Sequence, residues 1–269
     1  MTTPSAPTSV PGPRRTSVAF DLTDHRVWVT GASRGLGRAM ALGFAAAGAR
    51  VALTARSAGA VQEVADEIEE LGGKPLVLVG SVSDSAAVSS SVAAIRESWG
   101  GLDALVNSAG VSPIFKRAEL VDDEEWRHVL DVNVTGSFLC AREAGKLMLE
   151  GGGGAVVNIS SIHGQVGMER MAAYSASKGA IDALSRTLAL EWAERGVRVN
   201  TLSPGYFETD MTEALRGHRK WRGHLLSKIP LGRFGVPEEI VSAALFLASD
   251  ASGFMTGSNM VVDGGWTAA

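Results

Sequence analysis

From Arg26 onward, short runs of apolar and β-branched residues alternate with longer stretches in which apolar positions recur every three or four residues. The short runs fall at 27–30, 51–54, 76–79, 104–106, 155–159, 197–202 and 260–262, and the length and composition of each fit a buried strand. The longer stretches fall at 37–47, 60–71, 86–99, 124–149, 173–194 and 238–247, with the period of a helix that buries one face. Strand and helix in strict alternation predict a parallel sheet with crossover helices, an α/β doubly wound fold of seven strands with helices on both faces. Gly48, Gly72 and Gly100 stand where helices should stop, because glycine tolerates the left-handed conformation of a helix C-terminus. Gly151 to Gly154 look like a linker, yet they separate a helix from a strand and are read as a turn. No internal repeat and no long linker divides the pattern, so residues 21–269 are expected to form a single domain. The proline-rich stretch 1–20 is read as a flexible tail.

Composition narrows the function classes. A chain of 269 residues, 45% apolar and 20% charged, can bury a sizeable core, and a net charge of −4 argues against a nucleic-acid partner. No apolar run reaches the length of a membrane span. The single cysteine, Cys140, excludes an intrachain disulfide and fits a reducing, cytoplasmic setting. Five scattered histidines lack ligand spacing with acids or the thiol, so no metal site is expected.

Candidate chemistry begins after the first strand, at Thr30-Gly31-Ala32-Ser33-Arg34-Gly35-Leu36-Gly37. A glycine-rich turn opening a helix at this junction offers free N–H groups and the positive end of the helix dipole to a pyrophosphate. The spacing G-x-x-x-G-x-G departs from the common dinucleotide fingerprint, and a helix start rich in small residues is the competing reading. After the second strand, Ala55-Arg56-Ser57 lacks the acid that would bond the ribose hydroxyls of NAD, whereas Arg56 and Arg34 offer guanidinium groups to a 2′-phosphate. That favours NADP(H), unless both arginines are ordinary surface charges.

Tyr174 and Lys178 are four residues apart on a predicted helix and share one face. A neighbouring ammonium is expected to lower the phenol pKa toward the working pH of a general acid or base. Ser160-Ser161 follows the strand at 155–159, at the edge where ligands of open α/β sheets collect. Ser161 is the candidate for binding the substrate oxygen, with Ser160 as its rival.

In combination these residues resemble the short-chain dehydrogenase/reductase family over nearly the whole chain, from about Thr23 to Trp266. The resemblance rests on the glycine turn, Asn107-Ser108-Ala109-Gly110, Asn133 in Asn133-Val134-Thr135-Gly136, Ser161, Tyr174 with Lys178, Pro204-Gly205 and Val262-Asp263-Gly264-Gly265, all in the family's order. It implies a Rossmann-like fold and an NADP(H)-dependent oxidoreductase moving a hydride between the nicotinamide and a carbonyl or secondary alcohol. Asn133, Ser161, Tyr174 and Lys178 would be the catalytic residues, with Asn133 holding a water and Lys178 also bonding the nicotinamide ribose. The cofactor would lie on Gly31, Ser33, Arg34, Gly35, Leu36, Gly37, Arg56, Val82, Asn107, Ala109, Gly110, Tyr174, Lys178, Pro204, Gly205, Phe207 and Thr209. Asp263 would be structural. Ser108 and Ser81 depart from the family's usual asparagine and acid or amide, and slightly altered cofactor contacts are expected there.

Substrate choice falls to a predicted helical lid at about 207–233, which carries Arg216, Arg219, Lys220, Arg222, Lys228 and Arg233 and no acid between Glu213 and Glu238. It would suit an anionic substrate or an acidic acyl carrier protein, or be a solvated charged face. Loop residues His163, Gln165, Met168, Glu169 and Met171 would shape the pocket. The resemblance is shared between 3-oxoacyl-carrier-protein reductases and gluconate 5-dehydrogenase-like members. It favours reduction of a 3-oxoacyl thioester, with a sugar acid as the alternative substrate and a non-catalytic dinucleotide sensor as the alternative of another class. Apolar residues on the helices at 124–149 and 173–194 suggest a homo-oligomer, and the family is commonly tetrameric or dimeric.

Overall fold

The computed structural model describes residues 20–268, so the tail expected at 1–20 lies almost wholly outside the described residues. Each predicted strand forms. They are β1 (Arg26–Thr30), β2 (Arg50–Ala55), β3 (Leu76–Val79), β4 (Ala104–Asn107), β5 (Gly154–Ile159), β6 (Val197–Pro204) and β7 (Asn259–Val262). They build one parallel sheet in the order β3-β2-β1-β4-β5-β6-β7. The order reverses between β1 and β4, and the crevice outside the carboxyl ends of those strands is where such sheets bind ligands.

The helices are α1 (Gly35–Ala46), α2 (Ala58–Glu70), α3 (Ser85–Trp99), α4 (Asp123–Leu130), α5 (Gly136–Gly151), α6 (Ala172–Trp192), α7 (Asp210–Gly217), α8 (Arg219–Leu226) and α9 (Val241–Ala248). Alternate strand residues face opposite layers: Val27 and Val29 pack with Met40 and Phe44 of α1, while Trp28 packs on the other face with residues of α3, α5 and α6. Trp28 is fully buried, and its indole N–H donates to Thr54 Oγ1 at 2.8 Å, which satisfies the one polar atom that burial would otherwise strand. Gly48, Gly72 and Gly100 have φ of +88°, +86° and +73°, the conformation expected of them.

Two boundaries differ from the sequence pattern. The stretch 124–149 is not one helix, because a π-helical turn at Asp131–Thr135 separates α4 from α5. The helix expected at 238–247 begins as a 3-10 turn at Pro237–Ile240 and becomes α-helical only at α9, while the expected helical lid is formed by α7 and α8. No helix among the described residues is long and apolar enough to cross a membrane.

Candidate active site

A cleft of about 580 Å³ runs along the carboxyl edge of the sheet, from the turn after β1 to the lid helices α7 and α8. Its floor at one end is the glycine turn. Thr30 Oγ1 accepts hydrogen bonds from the backbone N–H groups of Ser108 and Ala109 at 3.1 and 3.2 Å, which ties the end of β1 to the loop after β4. The fit is close: a Cβ on Gly31, at φ +65°, would sit 2.7 Å from Ala109 Cα, and one on Gly37 would sit 2.2 Å from the Gly31 carbonyl oxygen. Small residues here are therefore a packing requirement as well as a helix start, and they leave the N-terminus of α1 open to the cleft.

Arg34 and Arg56 both line this end. Arg34 reaches the rim residue Asp210 at 3.4 Å, a long contact between exposed groups, and Arg56 makes no ion pair among the described residues. Asp210 is the one carboxylate on the cleft wall among the described residues. A dianionic phosphate beside β2 would meet two guanidinium groups and no acid at that strand's end.

The other end gathers Ser161, His163, Tyr174, Lys178 and Tyr206. Ser160 and Ser161 divide their tasks. Ser160 Oγ donates to the Lys178 carbonyl at 3.2 Å and fastens β5 to α6, whereas Ser161 bonds the Tyr174 phenol and accepts the His163 backbone N–H at 3.1 Å. Lys178 is buried; its ammonium donates to the Ile159 carbonyl at 2.7 Å and lies 5.6 Å from the Tyr174 ring centroid. Burial pushes the lysine pKa down to about 8, with Asp182 opposing. Burial also raises the phenol of Tyr174, and the Ser161 bond only partly offsets this. The expectation that the ammonium would pull the phenol below its ordinary value is thus corrected: desolvation is the larger effect on both groups and favours their neutral forms.

Nearly all the cofactor-binding candidates line the cleft: Gly31, Ser33 to Gly37, Arg56, Val82, Ala109, Gly110, Tyr174, Lys178, Pro204, Gly205, Phe207 and Thr209. Asn107 does not, and neither does Asn133, expected as a catalytic residue. Asn107 faces the core, donating to the Ser137 carbonyl at 3.1 Å and to Asn158 Oδ1 at 2.9 Å. Asn133 lies in the π-helical turn, where its amide brackets Val111: Oδ1 accepts from Val111 N at 2.8 Å, and Nδ2 donates to Val111 O and to Ser177 Oγ, each at 3.0 Å. Both asparagines hold cleft-lining segments in place from behind. Of the loop residues expected to shape the pocket, His163 and Met171 line it and Gln165, Met168 and Glu169 do not.

Sequence reasoning passed over Tyr206, Phe115 and Trp221. Tyr206 is one of only two tyrosines in the chain and directly follows Pro204-Gly205, a signal that was available. Phe115 and Trp221 meet edge to face at 5.0 Å and join the β4–α4 loop to α8 across the mouth, with Arg170 over both rings at 5.6 and 6.0 Å. Of the basic lid residues, Arg216 turns inward to Thr212 Oγ1 and the Thr209 carbonyl, and Arg233 pairs with Glu239. Asp263 caps the final turn, as expected of a structural residue: burial works to raise its pKa, but hydrogen bonds from Thr267 and Gly265 outweigh it. No group of three potential metal ligands occurs among the described residues.

Comparison with known proteins adds four relations. A family model described as enoyl-(acyl carrier protein) reductase matches residues 31–267. The chain is 41% identical to a D-threitol dehydrogenase of Mycolicibacterium smegmatis, covering 93% of this chain and 96% of that one. It is 39% identical to a 3-oxoacyl-[acyl-carrier-protein] reductase of Synechocystis, covering 91% and 97%. A solved structure, a putative NAD(P)-dependent gluconate 5-dehydrogenase from Beutenbergia cavernae with bound NADP, superposes with a TM-score of 0.89 at 41% identity, covering 93% of this chain and 99% of that one.

Proposed function

The chain belongs to the short-chain dehydrogenase/reductase family, an oxidoreductase acting on alcohol and carbonyl groups, and on that premise we propose that it is NADP(H)-dependent and works through Ser161, Tyr174 and Lys178. The observation that carries this reading is the single cleft that joins the glycine turn and the two arginines to the Ser161, Tyr174 and Lys178 cluster. NADP(H) fits the residues present: the crowded Gly31 and Gly37 leave the α1 N-terminus open for a pyrophosphate, and Arg34 with Arg56 would hold the 2′-phosphate. When bound it supplies or accepts the hydride at its nicotinamide ring.

Tyr174 gives a proton to the substrate oxygen on reduction and takes one back on oxidation. Ser161 bonds that same oxygen and stabilises the charge that grows on it. Lys178, held by the Ile159 carbonyl, would bond the nicotinamide ribose and supplies positive charge beside the phenol in its protonated form. Asn133 acts one step further out by fixing Val111 and Ser177. A dinucleotide sensor would have no use for a buried ammonium beside a phenol, a costly arrangement in the absence of chemistry.

The substrate is a small molecule with a ketone or secondary alcohol, and a 3-oxoacyl thioester and a sugar acid both meet that description. The protein is read as cytoplasmic, in keeping with one thiol, Cys140, whose burial pushes its pKa up to about 12. A homo-oligomer, dimer or tetramer, is supported by Phe138 on α5 and Leu190 on α6, which are exposed apolar groups on neighbouring helices.

The test is NADPH-dependent turnover by wild type and by Tyr174→Phe. Loss of about 10³-fold in kcat with NADPH binding retained is expected for removal of a general acid. Retention of wild-type turnover would overturn the assignment.

A further inference from the structure

Tyr206 is buried at the polar end of the cleft with its hydroxyl 2.9 Å from His163 Nε2. Its ring packs against Trp266 at 5.0 Å and against His163 at 5.6 Å, while the Lys228 ammonium lies over the Trp266 ring at 5.4 Å. The other ring nitrogen of His163, Nδ1, faces the Val166 carbonyl at 3.3 Å. A carbonyl only accepts, so Nδ1 carries a hydrogen. Burial, helped by the charge of Lys228 and partly opposed by the Val166 bond, holds the imidazole pKa below its ordinary value, so the ring is neutral and Nε2 is bare. The proton between Nε2 and Oη therefore belongs to Tyr206.

This fixes the direction of the bond. Tyr206 spends its only hydrogen on His163, and its oxygen keeps lone pairs for the cleft. Burial, and then the neighbouring Tyr174, raise its own pKa, so it stays a neutral phenol. The two tyrosines thus have different hydrogen-bonding capacities. Tyr174 has a hydrogen to donate to a ketone oxygen, whereas Tyr206 can only accept. The same loop serves both, because the His163 backbone N–H bonds Ser161 Oγ while its ring holds Tyr206.

We propose that Tyr206, oriented by His163, is a specificity residue that accepts a hydrogen bond from a second hydroxyl of the substrate, so that the enzyme prefers polyhydroxy alcohols and hydroxyketones. The inference rests on the proposed oxidoreductase function and refines its substrate class. A 3-oxoacyl thioester brings only acceptors to this end of the cleft and leaves the Tyr206 oxygen unmatched. A carboxylate placed there would meet a lone pair. A hydroxyl close to the reacting carbon satisfies it, and that second hydroxyl keeps its proton throughout the reaction. A site built to bond a substrate hydroxyl discriminates strongly against the analogue that lacks it.

The experiment compares oxidation of butane-1,2,3,4-tetrol and butan-2-ol with NADP⁺, and reduction of 3-oxobutanoyl-CoA with NADPH, in wild type and Tyr206→Phe. Wild type is expected to prefer the tetrol to butan-2-ol by about tenfold or more in kcat/KM, the size of one well-placed hydrogen bond. In Tyr206→Phe, which keeps the ring packing, that ratio is expected to fall about tenfold, mainly through a higher KM for the tetrol. NADPH titration of the variant reports whether it has folded, and the wild-type ratio tests the proposal without any variant. Equal wild-type rates for the two alcohols, an unchanged ratio in the variant, or turnover of the thioester alone would overturn the specificity role and leave the oxidoreductase reading standing. No turnover of any compound by an enzyme that binds NADPH would overturn both.

Discussion

Lys178 is the residue at which folding and chemistry conflict most directly. Its ammonium is buried and its pKa of about 8 lies well below the ordinary 10.5, so the folded state releases this proton before the unfolded state does. Between those two values the unfolded chain binds more protons, and stability from this residue rises with pH; below about 8 the full penalty of burying the charge is present. The stability difference between wild type and Lys178→Met is therefore expected to move in favour of wild type by about 3 kcal/mol between pH 8 and 10.5, read from urea midpoints across that range. A difference independent of pH would contradict it. The sequence made the Tyr174 and Lys178 pairing visible, because four-residue spacing places both on one helix face. It could not give the sign of the phenol shift, which depends on how much water the surrounding elements exclude. Tyr206 could have been noticed after Pro204-Gly205, but its role was hidden for a similar reason, since it comes from the ring of His163, 43 positions away along the chain.

At the level of elements, strands and glycine stops were readable because their signals are local. Val27 to Thr30 reads as a buried strand whatever surrounds it, and Gly100 ends α3 with the φ that only glycine adopts readily. The π-helical turn was not readable, because an extra residue within an apolar helix leaves the pattern of the pieces on either side intact. Its effect is tertiary, since it seats Asn133 against Val111 and Ser177. Arg198 on β6 is a similar case. Its half-buried guanidinium donates to the Leu247 and Ser249 carbonyls and to Ser252 Oγ at the C-terminal end of α9, where helix carbonyls lack intrahelical partners. Arg198→Met is expected to lower stability by about 1.5 kcal/mol, because it removes a charged donor from the Leu247 and Ser249 carbonyls and leaves them Ser252 as partner, as measured by chemical denaturation. A loss under about 0.5 kcal/mol, the range of ordinary surface changes, would show that water replaces the guanidinium at no cost.

Across the whole molecule, the sheet order brings the glycine turn after β1, the serines after β5 and the Pro-Gly turn after β6 to one edge, although they are far apart along the chain. The reversal of strand order beside β1 opens the crevice, and α7 and α8 roof it. The central claim is that this one cleft passes a hydride between NADP(H) and a carbinol carbon while Tyr174 moves the proton. The most direct measurement uses NADPH deuterated at nicotinamide C4, with a hydroxyketone as acceptor and mass spectrometry of the product. The claim predicts one deuterium on the new carbinol carbon from one of the two C4-labelled forms of NADPH and none from the other, with no product from Tyr174→Phe. Product that carries no deuterium from either form, or the absence of product despite tight NADPH binding, would contradict it.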